Sequence, residues 1–230
     1  PDMTVPRGPV LVTSAASKAP LVRAMQDAAQ RVNQGIEVIA GDIDPDAPTR
    51  YIADQFWQMP RAEVDNLPEL LSGCVERGIR VILPTRDGEL AFWAAHRAAF
   101  AEMGIDVVVS GLDAVALCLD KLAFTQFGIA NALPVIPATD DLNALNADSY
   151  VVKERFGAGS KGIGLNLDRE AAAAHAKTLN TPVFQPYMSG PEISVDAWVD
   201  RDGAPFGIVL RWRNRVVGGE SVITTTFRDR

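Results

Sequence analysis

The segment "VVKERFGAGSKGIGL" runs from Val151 to Leu165 and sets Gly157, Gly159 and Gly162 at the spacing G-x-G-x-x-G. With Ala158 and Ser160 between them, the loop has small side chains at every position but Lys161. Its backbone N–H groups can therefore lie flat against phosphate oxygens. The same spacing opens dinucleotide sites, but those turn from a strand into a helix whose N-terminus receives the pyrophosphate. Here Ile163-Gly164-Leu165-Asn166-Leu167 follows with a period of two, so the loop is expected to join two strands. A P-loop spacing, G-x-x-x-x-G-K-[ST], is absent from the chain. The glycines alone fit a phosphate cover and a ligand-free hairpin equally.

Charged residues nearby sharpen the choice. Lys153 falls in the predicted strand Tyr150–Lys153, just before the loop. It either reaches phosphates beneath the loop or packs its stem and leaves its head in solvent. Lys121 falls in the first turn of a predicted helix, where a cation costs about 0.3–1 kcal/mol against the macrodipole. Asp120 offsets part of that cost, and an approaching phosphate would explain the rest. Lys161 is expected in solvent. Arg211 and Arg213 share a strand face and suit a carboxylate or a phosphate, or simply the surface. Thr85, Asp87 and Glu89 follow a strand end and suit an acid substrate, although Asp87 fits a helix cap as well. His96 and His175 fall in helical stretches and are read as structural.

The elements that must carry these residues alternate. Strands are predicted at Val10–Thr13, Glu37–Ala40, Arg80–Leu83 and Asp106–Val109. Between them lie helical patterns: one through Leu21, Met25 and Val32, one from a capping-box-like Asn66/Glu69 start to Gly78, and one from Asp87 to Met103. Such alternation implies a parallel, doubly wound sheet whose ligands bind beyond the carboxyl ends of the strands. The first strand end, Thr13-Ser14-Ala15, has no glycine, so the fold is present without a dinucleotide fingerprint. After about residue 115 the pattern changes. A helix is expected over Asp120–Phe127, stopped by Gly128, and a strand at Tyr150–Lys153 before the loop. A helix capped by Asp168 and a strand Val183–Tyr187 follow. Glu192–Asp200 and Phe206–Arg213 are expected to pair around Asp202-Gly203, with Ile193, Val195, Ala197 and Val199 facing the core.

Composition narrows the class. The chain has 230 residues, 47% of them hydrophobic, and a formal net charge of −7. An overall basic field for nucleic acid is absent. No apolar run approaches the ~20 residues that span a bilayer, and no signal-peptide pattern stands at the N-terminus. Cys74 and Cys118 lie far apart without metal-ligand spacing, which suits a reducing, cytoplasmic setting.

Taken together, "DKLAFTQFGI", "VVKERFGAGSKGIGL" and "VFQPYMSGPEISVDAWVD" resemble the ATP-grasp fold. "GDIDPDAPTRYIADQF" and "LPTRDGELAFWA" resemble the pre-ATP-grasp domain of ligases like the large subunit of carbamoyl-phosphate synthase. The resemblance implies an α/β chain with a Rossmann-like pre-ATP-grasp domain over 1–115 and an incomplete α+β ATP-grasp domain over 116–230. It implies that Lys121 and Lys153 contact the phosphates of ATP and that Gly157, Ala158, Gly159, Ser160 and Gly162 close over them. Gln185, Pro186, Tyr187 and Met188 would flank adenine, mainly through backbone groups, and Glu192 would bind the ribose. Gly218 and Gly219 would allow close approach near the acceptor. The implied cofactors are ATP and Mg²⁺, the partners a small carboxylate and an amine, and a homodimer is compatible.

Relatives in that family bind Mg²⁺ through an acidic residue and a Glu-x-Asn pair, and this chain contains no Glu-x-Asn. The expected metal ligands would lie beyond Arg230. The readings left open are a fragment of a longer ligase, a split protein, or a nucleotide-binding module without catalysis that senses or acts with a partner. A nicotinamide oxidoreductase is disfavoured by the missing fingerprint.

Overall fold

The structure is a computed structural model and describes residues 8–200 and 202–228. The outer limits of the two expected domains, Pro1 and Arg230, lie outside them. The chain divides into two compact units that meet in sequence at Leu117/Cys118.

The first unit is built on a parallel sheet of five strands in the order β3-β2-β1-β4-β5. They are β1 (Val10–Val12), β2 (Val38–Asp42), β3 (Gln55–Gln58), β4 (Val81–Leu83) and β5 (Asp106–Val107). Helices α1 (Ala19–Val32), α2 (Leu67–Glu76) and α3 (Asp87–Glu102) alternate with them, and α4 (Leu112–Leu119) follows β5. β1 and β2 are buried along their whole length, as short apolar strands must be when both sheet faces are covered. Alternation divides their side chains between two cores. Leu11, Ile39 and Ile82 pack with Leu70, Cys74, Trp93 and Phe100 from α2 and α3. Val12, Val38 and Ala40 pack with Val22 and Ala29 from α1. Burial pushes the Cys74 thiol up to about 12, so it is inert packing.

Several local expectations change. β3 is a four-residue edge strand with exposed ends, too short for its alternation to be read. Asn66 precedes α2 but does not cap it; its side-chain amide donates to the Arg61 carbonyl at 3.0 Å. α4 spans the expected 115/116 boundary.

The second unit contains α5 (Lys121–Ala130), β6 (Tyr150–Glu154), β7 (Gly164–Leu167), α6 (Arg169–Ala176) and β8 (Pro182–Pro186). The strands form an antiparallel sheet in the order β7-β6-β8. Its core is Tyr150, Val152, Ala172 and Phe184. Gly128 does not stop α5. It is a close-approach site, where an added Cβ would lie 2.4 Å from a Val135 methyl. Then β9 (Ile193–Val199), β10 (Pro205–Val217) and β11 (Glu220–Phe227) form a second antiparallel sheet. The core face expected on β9 is corrected here. Ile193, Val195 and Val199 are all exposed, because no described element packs over them.

Candidate functional site

The glycine loop connects β6 to β7, and those strands are antiparallel neighbours. It therefore ends in a strand, and the geometry of a dinucleotide turn is absent. Gly157, Gly159 and Gly162 have φ of 109°, 72° and 67°, a region that disfavours any side chain with a Cβ. Ser160 shares it at 53°. The loop is exposed from Gly157 to Lys161.

Both stems of the loop are pinned. Asp120 caps α5, accepting from the backbone N–H of Leu122 at 3.0 Å and of Ala123 at 3.1 Å. The same carboxylate takes two bonds from the Arg155 guanidinium, at 2.7 and 2.6 Å. The Arg155 hydrogen bonds, with help from the two backbone amides, hold the Asp120 carboxyl down at about 2. The Lys121 backbone N–H and its Nζ both donate to the Arg155 carbonyl, at 3.2 and 3.3 Å. Nζ also reaches the Gly157 carbonyl at 2.8 Å. At the other stem the Gly162 carbonyl accepts from His175 Nε2 at 2.8 Å, which fixes the Nε2–H tautomer because a carbonyl can only accept. The sequence gives no signal for Arg155, and it reads His175 only as structural.

Lys153 is half-buried on β6. Its ammonium is held below the ordinary lysine range, first by burial and then by the charge of Lys121. The two cations therefore sense one another beside the loop. Burying like charges together is unfavourable, and an anion bound between them would relieve it. Gln185 pairs with Val151 and Val183 with Lys153, so Gln185 shares the face of Lys153. Its side-chain amide donates to the Ile136 carbonyl at 3.2 Å, and in the segment beyond it the Tyr187 N–H donates to the Ser149 carbonyl at 2.9 Å. Pro186 closes β8, and Tyr187 and Met188 are exposed beyond it.

Glu192 lies just before β9 and forms an ion pair with Arg213. Arg213 also donates to the Gly219 carbonyl at 2.6 Å. Arg211 forms an ion pair with Asp196, which lowers the Asp196 carboxyl. Both arginines expected to meet a substrate thus already meet carboxylates. Gly218 and Gly219, at φ of 56° and 79°, form the two-residue turn between β10 and β11, a conformation that calls for glycine at both positions. Gly219 abuts the loop: an added Cβ would stand 2.5 Å from Ser160 Oγ.

In the first unit, Thr85 and Glu89 belong to one network at the strand ends. Thr13 Oγ1 donates to Glu89 Oε1 at 2.7 Å, and the Thr85 hydroxyl donates to the Thr13 carbonyl at 2.7 Å. Asp87 is exposed in the first turn of α3, where the cap position belongs to Arg86.

The residues of the second unit fit ATP: two cations for its phosphates, a glycine loop, and an acidic group for hydroxyls. They do not fit a metal site, since no three His, Cys, Asp or Glu side chains gather among the described residues. No step through Mg²⁺ is therefore assigned to this chain. Also among the described residues, no helix is long and apolar enough to cross a membrane.

Residues 10–108 match the family described as PylC-like, N-terminal domain. No curated protein matches the sequence significantly. Solved structures are similar over most of the chain. The N5-carboxyaminoimidazole synthetase from Staphylococcus aureus complexed with ADP has 20% identity and a TM-score of 0.65, over 88% of this chain and 54% of that one. The biotin carboxylase–β-γ-ATP complex from Campylobacter jejuni has 17% identity and a TM-score of 0.66, over 94% and 53%. The L-amino acid ligase from Bacillus licheniformis has 14% identity and a TM-score of 0.66, over 97% and 55%. The chain thus spans about half the length of these structures. At such identities the likeness is one of fold: a Rossmann-like N-terminal domain followed by part of an ATP-grasp domain.

Proposed function

We propose that this chain carries the ATP-binding part of a ligase related to the large subunit of carbamoyl-phosphate synthase. In this reading ATP phosphorylates a carboxylate, and an amine or similar nucleophile displaces phosphate from the acyl phosphate. The chain's own residues bind and orient. Lys121 and Lys153 neutralise phosphate oxygens, and N–H groups of the loop around Gly157, Ala158, Gly159, Ser160 and Gly162 cover them. Gln185 to Met188 flank adenine, and Glu192 takes the ribose hydroxyls once it exchanges its bond to Arg213. Thr85 and Glu89 hold the strand ends that receive the acid. Positioning and charge neutralisation would supply the rate.

One observation carries the reading: a half-buried lysine whose pKa is depressed beside a second lysine, at the mouth of a glycine loop. Calorimetric titration of ATP into the chain and into Lys153→Ala tests it. The expected result is saturable binding weakened at least tenfold by the substitution; equal affinity in both removes the nucleotide role. A nucleotide-binding module without catalysis predicts the same binding but no carboxylate-dependent ADP formation by the full-length protein.

A further inference from the structure

Arg213 stands between two groups that the nucleotide reading uses separately, the ribose acceptor Glu192 and the tip of the glycine loop. Its backbone N–H donates to the Glu192 carbonyl at 3.1 Å, which sets the two residues opposite one another where β10 passes the residue before β9. Across that pair the guanidinium uses both ends of its fork. Nη1 donates to a carboxylate oxygen of Glu192, and Nη2 donates to the Gly219 carbonyl at 2.6 Å. The Arg213 side chain is 18% exposed and that of Glu192 64%. The cation is thus largely enclosed, while its counter-ion faces solvent and is open to a ligand.

Gly219 carries the contact on to the loop. A Cβ added to Gly219 would lie 2.9 Å from the Gly159 carbonyl carbon and 3.0 Å from the Ser160 nitrogen. One added to Gly159 would lie 3.6 Å from the Gly218 carbonyl oxygen. The β10–β11 turn and the loop tip are therefore packed backbone against backbone. Among the described residues no hydrogen bond joins them. The loop is bonded at its ends instead, by Lys121 at the Gly157 carbonyl and by His175 at the Gly162 carbonyl. Between those ends the tip rests on the turn, and Arg213 is the side chain that grips the turn. Arg211 lies two residues earlier on the same strand and is paired with Asp196, with no bond to the turn.

We infer that Arg213 is a positioning residue that holds the loop tip in place through Gly219 and releases it when a ribose takes Glu192. The release rests on the reading of Glu192 as the ribose acceptor; the hold does not. Ribose hydroxyls on the carboxylate compete with Nη1. An enclosed guanidinium that loses its counter-ion is unfavourable, so it turns towards water and slackens its bond to the neutral Gly219 carbonyl. The tip then moves freely between its two bonded ends and can settle on the phosphates. The nucleoside end of the ligand is thereby read before the phosphate end is covered.

The test reads the mobility of the loop tip by electron paramagnetic resonance. A nitroxide is attached at Lys161→Cys, an exposed position, in a Cys118→Ser background; Cys74 is buried and stays unlabelled. Without ligand, Arg213→Met should shorten the correlation time of the label about twofold or more, on the nanosecond scale of loop motion. Arg211→Met should leave it unchanged. Adenosine at saturation should mobilise the label in the chain with Arg213 intact, 2′,3′-dideoxyadenosine should not, and neither should act on Arg213→Met. ATP binding to the same preparations is measured by calorimetry. If Arg213→Met melts early, Arg213→Lys takes its place, since it keeps the charge and loses the fork. A label equally mobile with and without Arg213, in a chain that binds ATP, overturns this inference and spares the nucleotide reading. A label loosened by Arg213→Met in a chain that binds no ATP overturns the nucleotide reading, and the release with it, and leaves the hold standing. Equal effects of the two arginine variants, equal effects of the two nucleosides, or no response to adenosine in a chain that binds ATP also overturn the inference.

Discussion

Lys121 Nζ donates to the carbonyl oxygen of Gly157 at 2.8 Å, tying the first residue of α5 to the first glycine of the loop. The ammonium is thereby held at the loop entrance by the partial charges of carbonyls, which a phosphate would outcompete. Charge-assisted hydrogen bonds contribute about 1.5–3 kcal/mol each. Lys121→Ala should therefore weaken ATP binding about 10- to 100-fold. Lys121→Arg should recover part of the loss, since the charge is kept and the geometry is not. Titration of ATP into the three proteins measures both effects.

Lys153 makes a prediction about protons. Its folded pKa is depressed below 10.5 by burial and by Lys121. Between that lowered value and 10.5 the unfolded chain binds more protons than the folded one, so this group's contribution to stability rises with pH in that window. A phosphate beside Lys153 favours its charged form and raises its pKa again. ATP binding should therefore take up protons when measured in the same alkaline window. Calorimetry in two buffers of different ionisation enthalpy would show the uptake, and Lys153→Arg should abolish it.

Asp120 joins two structural duties, the cap of α5 and the clamp on Arg155. Asp120→Ala should cost about 1 kcal/mol from the cap alone and should loosen the loop stem as well. Asp120→Asn keeps a good capping residue but loses the charge on Arg155, so it should cost less. The sign of the acid dependence follows from a folded pKa of about 2 against an ordinary 3.8. The stabilisation is fully present above pH 4 and is lost as pH falls through 4 towards 2. Acid melts of wild type and Asp120→Asn should converge in that range.

Much of the fold is legible in the residues themselves. Val10–Thr13 and Glu37–Ala40 read as strands in an alternating strand–helix order that implies a parallel sheet, and β1 and β2 stand there, buried along their length. The alternation after Gly162 shows that the glycine loop leads into a strand, since a strand's side-chain period is two. The electrostatic coupling of Lys121 and Lys153 is legible only as two cations, because their proximity depends on how α5 meets β6. Arg155 is invisible for a related reason: its partner Asp120 lies 35 residues away, and periodicity within one strand carries no such information. The apolar face of β9 misleads because alternation tells which residues share a face, not what covers it.

Gly219 offers the most selective test of how the loop closes. Gly218 and Gly219 both have positive φ, so alanine at either should strain the β10–β11 turn by about 1–2 kcal/mol. Only at Gly219 would an added side chain press on the loop. A Cβ on Gly218 meets nothing within 4 Å, whereas one on Gly219 would lie 2.5 Å from Ser160 Oγ and 2.9 Å from the Gly159 carbonyl carbon. The hydroxyl can rotate away, but the backbone carbon cannot, so the loop itself must shift. If the loop binds phosphates in this arrangement, Gly219→Ala should weaken ATP binding several-fold more than Gly218→Ala, at matched losses in melting temperature. Equal affinities in the two variants would mean that ATP is held with the loop elsewhere, away from the Gly218-Gly219 turn.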